Sequence, residues 1–271
     1  MKKVALILFL ALSASFSIFY SCKKDDKKDN GFQPAKDNAV AETFFDDYFK
    51  QIDKAAKDTN VEKSGYSLGC PTITLVGSTF PKTLTLDFGT TCTDSTTGRV
   101  RSGKIIITLS KAWVDSGAVA TCTFENYIVD GYSLSNNAVK TITNNGRTSG
   151  ILSFTINVQN ATITGPDGTF SWNTTRVHEF IQGENTPWPF VFDDVWRITG
   201  SANGVDVNSK TYTIDITSPL IVQVGCRWIK QGTLEVKPEE WDIITVDYGN
   251  GNCDAQATAT YNGQTYNFVM N

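Results

Sequence analysis

Residues 151–183 read ILSFTINVQNATITGPDGTFSWNTTRVHEFIQG. Leu152, Phe154, Ile156 and Val158 alternate with Ser153, Thr155 and Asn157. In the second half Phe170, Trp172, Arg176, His178 and Phe180 fall on one face at the same period of two. Side chains along a β-strand point to opposite faces in turn, so each half reads as a strand with one apolar and one wetter face. Gly165-Pro166-Asp167-Gly168 lies between them and supplies turn-forming residues. Parallel strands are usually buried on both faces and lose such alternation, so the pair reads as an antiparallel hairpin.

The same period extends through the chain. Ile105, Ile107 and Leu109 share a face, as do Tyr212, Ile214 and Ile216. Asn144-Asn145-Gly146, Asn203-Gly204 and Asn262-Gly263 are further turn signals, because Asn and Gly tolerate the positive φ of tight hairpins. Residues 62–271 therefore predict an all-β domain, a long antiparallel meander of about eleven to thirteen strands. Closure as a barrel or a sandwich would cover its edges. Before it, residues 37–61 predict one amphipathic helix, with Ala41, Phe44, Phe45, Tyr48, Ile52 and Ala55 at helical spacing and charges between them. The expected arrangement is that helix laid on one sheet face.

A motif recurs. Cys70 begins CPTITLVGSTFPKTLTLDFGTTCTD, and Cys226 begins CRWIKQGTLEVKPEEWDIITVDYGNGNCD. Thr85-Leu86-Asp87-Phe88-Gly89 matches Thr245-Val246-Asp247-Tyr248-Gly249. With hairpin turns near residues 81 and 239, Cys70 falls opposite Cys92 and Cys226 close to Cys253, so each pair predicts a disulfide across the open end of a hairpin. Cys122 alternates onto the face of Phe124 and Ile128 and reads as a small buried hydrophobe. Asp247, Asn250, Asn252 and Asp254 offer oxygens, but Ca²⁺ takes six to eight ligands. A tight turn shaped by Asp and Gly accounts for the loop, and no metal site is expected.

The first thirty residues obey different rules. Met1-Lys2-Lys3 precedes an apolar run from Val4 to Tyr20, then Ser21 and Cys22. Basic start, apolar middle and small residue before the cut make 1–21 a secretory signal. Lys23-Lys24-Asp25-Asp26-Lys27-Lys28-Asp29 follows, within a tether spanning 22–36 that has little to bury. Cysteine at the first mature position, followed by lysines and acids, resembles the surface-exposed lipoproteins of Bacteroidota. That resemblance implies acylation of Cys22 (palmitate among the chains), a membrane partner reached through those chains, and an outer-membrane address facing the medium or, alternatively, the periplasm. An aliphatic residue is usual three before the cysteine, where this chain has Phe19.

Chemistry is harder to find. The formal net charge is −4, which gives no electrostatic reason to bind nucleic acid. His178 is the one histidine. No Gly-x-Ser-x-Gly, His/Cys metal cluster or phosphate-cradling loop occurs, and no cofactor is expected. Glu179, Glu184, Asp193 and Asp194 are carboxylates near aromatics, the residue type glycoside cleavage needs in pairs. Thr186-Pro187-Trp188-Pro189-Phe190-Val191-Phe192-Asp193-Asp194-Val195-Trp196 is the most unusual segment. Exposed, Trp188, Phe190 and Phe192 would stack sugar rings while Asp193 and Asp194 accept hydroxyl hydrogens; buried, the segment would plug the end of a barrel. The sequence thus points to a non-enzymatic surface binding or structural protein, for glycan or partner protein. A carrier of an apolar ligand in a curved half-barrel sheet is the alternative, and a glycoside-active enzyme stands behind both.

Overall fold

The structure, a computed structural model, describes residues 32–57, 70–135, 137–186, 191–239 and 241–270. The expected signal peptide 1–21, Cys22, the tether as far as residue 31, and residues 58–69 lie outside the described residues. One helix, α1 (Gln33–Lys57), precedes fifteen strands: β1 (Thr72–Val76), β2 (Lys82–Asp87), β3 (Cys92–Thr93), β4 (Val100–Leu109), β5 (Val119–Val129), β6 (Tyr132–Leu134), β7 (Val139–Thr148) and β8 (Ile151–Gly165), then β9 (Gly168–Gln182), β10 (Val195–Val205), β11 (Thr211–Gln223), β12 (Gln231–Pro238), β13 (Ile244–Asn250), β14 (Gln256–Tyr261) and β15 (Gln264–Val269). The count exceeds the expected eleven to thirteen, in part because β3 and β6 are only two and three residues long.

All strands join one antiparallel ladder that runs from β1 to β15 almost in chain order. β6 and β7 share the gap between the long strands β5 and β8. The expected hairpin within residues 151–183 is β8–β9, closed at Gly165↔Gly168. Phe170, Trp172, Arg176, His178 and Phe180 all point inward and are buried, as their period requires. Two other turn signals behave differently. Asn144–Gly146 is a bulge inside β7, and the β7–β8 turn is Ser149-Gly150, both at positive φ. Asn203-Gly204 lies within β10, where a Cβ on Gly204 would stand 2.2 Å from the Ser171 carbonyl oxygen. Asn262-Gly263 does form the β14–β15 turn.

α1 starts four residues before the expected position 37, at Gln33. Pro34 sits in the first turn, where a missing N–H breaks no helical hydrogen bond. The helix lies against one face of the sheet, as expected, but its acidic residues are not in water. From Ala39 to Phe49 every residue is buried. Its neighbours come from much of the sheet. Phe45 stacks on Trp172 of β9 at 4.7 Å, Phe44 meets Tyr127 of β5 at 5.7 Å, and Phe49 meets Trp196 of β10 at 5.0 Å. Phe32, just before the helix, packs on Tyr266 of β15 at 4.7 Å. The sheet wraps the helix, and each buried aromatic of α1 stabilises by about 1.5–3 kcal/mol.

The polar face of α1 is buried because the sheet supplies partners. Asp47 takes a bidentate pair from Arg101 of β4, with Nε to Oδ2 at 2.9 Å. Glu42 pairs with Arg176 of β9, Asp53 accepts from Trp113 Nε1 at 2.9 Å, and Asp37 accepts from the Val207 amide at 2.9 Å. A buried carboxylate without such partners would cost several kcal/mol. These pairs fix the rotation and height of the helix in its sleeve.

Both expected disulfides, Cys70–Cys92 and Cys226–Cys253, are present, each with Cα atoms 5.8 Å apart. The first does not arise by the expected register. β1 and β2 pair Thr72 with Asp87, which sets position 70 near 89, and Cys92 belongs to the separate short strand β3. The repeated Asp-aromatic-Gly is a turn device, as read: Asp87 Oδ1 accepts the Gly89 amide at 2.9 Å and Asp247 Oδ1 the Gly249 amide at 2.8 Å. Cys122 is free and buried beside Phe124, but Ile128 is not on its face. A bulge between Ser102 and Lys104, opposite Asn126 at φ 50°, flips the phase, so Tyr127 and Val129 turn inward and Ile128 outward.

Candidate functional site

Two cavities open around the carboxyl-terminal half of α1. The larger, about 620 Å³, has an apolar floor of Trp113, Leu152, Phe154 and Phe180, with Lys57, Asp53 and Asp194 beside it. Alternation on β8 and β9 carries Phe154 and Phe180 inward, and the β4–β5 connection brings in Trp113. Trp113 stacks on Phe154 at 4.8 Å, and Phe180 stacks on Trp196 at 4.4 Å. Lys57 Nζ lies 4.8 Å from the Phe180 ring and donates to Asp53 Oδ2 at 2.8 Å. With Trp113 on Oδ1, both oxygens of Asp53 are engaged. At the rim Arg147 pairs with Glu184.

Asp194 differs from these. It is buried, and its Oδ1 has no hydrogen-bond partner. Its backbone is held on both sides: its N–H donates to Val191 at 3.2 Å, and its carbonyl accepts from Val224 at 2.9 Å. Burial pushes its carboxyl up to about 7, with Lys57 pulling the other way and Asp53 and Asp193 adding to the rise. A buried acceptor left unmet costs about 1–3 kcal/mol, more if charged, which a donor arriving in the cleft would recover.

The second cavity, about 390 Å³, shares Lys50, Lys54, Val191 and Val224 with the first but is polar. Several of its charges are paired, some with Asp130 outside its lining. Lys50 bridges Asp46 at 2.6 Å, Arg99 bridges Asp130 at 2.9 Å, and Arg227 reaches the same Asp130 at 3.1 Å. Burial works against ionisation of Asp47, but the Arg101 and Arg99 guanidiniums outweigh it and hold its carboxyl below the usual range.

The residues singled out in the sequence are dispersed. Trp188 and Phe190 lie outside the described residues. Phe192 is half exposed and borders the polar cavity. Asp193 accepts from Thr186 Oγ1 at 2.7 Å, while Asp194, next in the chain, serves the apolar cleft. Glu179 lies on the outer face, paired with Arg197 at 2.8 Å, and only Glu184 joins Asp194 at the larger cleft. His178 is buried edge-on to Phe49 at 4.6 Å; burial first, then Arg176 and Lys50, depresses its pKa to about 3. It is a neutral part of the core and borders neither of these two cavities. Sequence reasoning missed Trp113, Phe154, Asp53 and Lys57 as site residues. Asp53 and Lys57 were legible only as helix charges, and nothing local marks the carboxyl-terminal end of a helix as one wall of a cleft.

No protein-family model, curated protein or solved structure matches the chain.

Proposed function

We propose that this is an exported lipoprotein, anchored in the outer membrane through acyl chains on Cys22 and displayed at the surface, whose β domain binds a glycan without catalysing a reaction. The observation that carries the binding reading is the cleft of about 620 Å³, which joins stacked aromatic rings to the carboxyl group of Asp194, whose Oδ1 has no hydrogen-bond partner. Sugar rings present apolar C–H faces and hydroxyl donors, and both have a counterpart there. The curl of the sheet, which we read as a barrel incompletely closed about α1, argues against a carrier. A carrier would keep its concave interior for ligand, whereas here α1 occupies it. The apolar cleft floor is the one feature that favours a small apolar ligand instead.

A glycan array probed with the full chain in detergent tests the reading, alongside Asp194→Asn. The expected outcome is a set of sugars bound by the parent and lost in the variant. Binding should strengthen as pH rises through about 7, as Asp194 becomes the better acceptor, and the variant should lose that dependence. Binding to apolar dyes but to no sugar would favour the carrier. For the anchor, Cys22→Ser should release the protein from membranes into the soluble fraction; unchanged retention would defeat that part.

A further inference from the structure

At the opposite end of α1 the surface is aromatic. Phe32 lies 4.7 Å from Tyr266 and 6.1 Å from Tyr261, and Trp241 lies 6.1 Å from Tyr261. Trp241 is 37 % and Tyr266 39 % exposed, and Ile243, two residues from Trp241, is 48 % exposed. Single exposed apolar residues are ordinary, but ring contacts tie Trp241, Tyr261, Phe32 and Tyr266 into one patch. That patch surrounds the point where the chain enters the domain. Cys22 precedes Phe32 by ten residues, and an extended chain of that length reaches at most about 36 Å.

We infer that this patch docks on the bilayer to which Cys22 is tied, with Trp241 and Tyr266 at the level of the lipid headgroups. The inference rests on the lipid-anchor reading above. Trp and Tyr favour the membrane–water interface, where an apolar ring and a polar edge both find a suitable medium. A patch this small would bind a free vesicle weakly. The anchor removes that difficulty, because a short tether holds the patch at high local concentration over the lipid. Glu240 and Asp242 flank Trp241 in the sequence, so the surface suits zwitterionic headgroups and is repelled by anionic ones.

The test uses the full chain, purified in detergent with its acylation checked by intact mass, and reconstituted in phosphatidylcholine–phosphatidylethanolamine vesicles. Some of the lipids carry bromine near the headgroup end of their chains. Brominated lipid should quench tryptophan fluorescence in the parent, and Trp241→Phe, a conservative change at a partly exposed site, should lose most of that quenching. Adding phosphatidylglycerol should reduce it. Equal quenching of parent and Trp241→Phe in an acylated chain would overturn the docking and leave the anchor intact. An intact mass without acyl chains would remove the anchor, and the docking with it.

Discussion

Lys140 has no exposed surface and no hydrogen-bond partner for its Nζ. Its amine lies 3.7 Å from the ring of Phe45, 4.1 Å from Phe124 and 4.3 Å from Tyr48, with Cys122 as its cross-strand neighbour. The rings offer their negative faces to a cation, but they do not replace the water an ammonium loses. Burial therefore drives the lysine pKa well below 10.5. The unfolded chain holds a proton that the folded chain releases, so folding is disfavoured below 10.5, and stability rises as pH climbs toward that value. Lys140→Met keeps the bulk without the amine. It should raise stability by about 1–4 kcal/mol and flatten the pH dependence, as read by urea unfolding at neutral and alkaline pH. The nearby Cys122 thiol, pushed up to about 12 by burial, stays protonated, which suits a packing role.

At the scale of elements, bulges separate what the sequence discloses from what it conceals. Period two is plain in β8 and β9, and their inward residues were legible one by one. Each bulge then shifts the phase by one residue. In β5 that sent Ile128 outward, and in β7 it turned an Asn-Gly turn signal into a mid-strand kink. A bulge depends on two strands meeting, so one strand's residues do not announce it. α1 was legible as a helix but not as a buried one, since its polar residues match arginines and a tryptophan 54–134 residues away. Glycines divide accordingly. Gly103, at φ 77°, has the Asn126 carbonyl oxygen 2.2 Å from where a Cβ would stand, whereas Gly263, at φ 75°, has open space around it. Gly103→Ala combines a steric clash with left-handed strain and should cost more than about 3 kcal/mol, against about 1 kcal/mol for Gly263→Ala, measured by thermal unfolding.

On the scale of the whole molecule, the early and late strands meet. Arg99, just before β4, donates to the Arg227 carbonyl at 3.0 Å, and Cys70 and Cys226 border the same polar cavity. Both disulfides thus sit where distant parts of the ladder converge. Non-reducing peptide mapping should return Cys70–Cys92 and Cys226–Cys253 with Cys122 free. Loss of either bridge should lower stability by about 3 kcal/mol, given loops of 22 and 27 residues. The molecule also has two poles. At about 1.5 Å per residue, the stretch of α1 from Gln33 to the cleft residues Lys50 and Lys57 separates the aromatic patch from the cleft by about 25–36 Å. If the patch meets lipid, the cleft opens away from it.

The sleeve around α1 also sets an order of events during biosynthesis. The helix emerges first, yet its aromatic and acidic residues meet their partners only as β4 to β15 arrive, and Phe32 waits for Tyr266 near the end of the chain. Contacts so distant in sequence make for slow folding. Until the last hairpin is made, the amino-terminal end of α1 lacks its cover, because Phe32 packs on Tyr261 and Tyr266. For the export proposed above, such an arrangement is an advantage, because the first element has no complete resting place until the last strand has crossed. Truncation before β14 should therefore leave an aggregating chain and not a smaller domain.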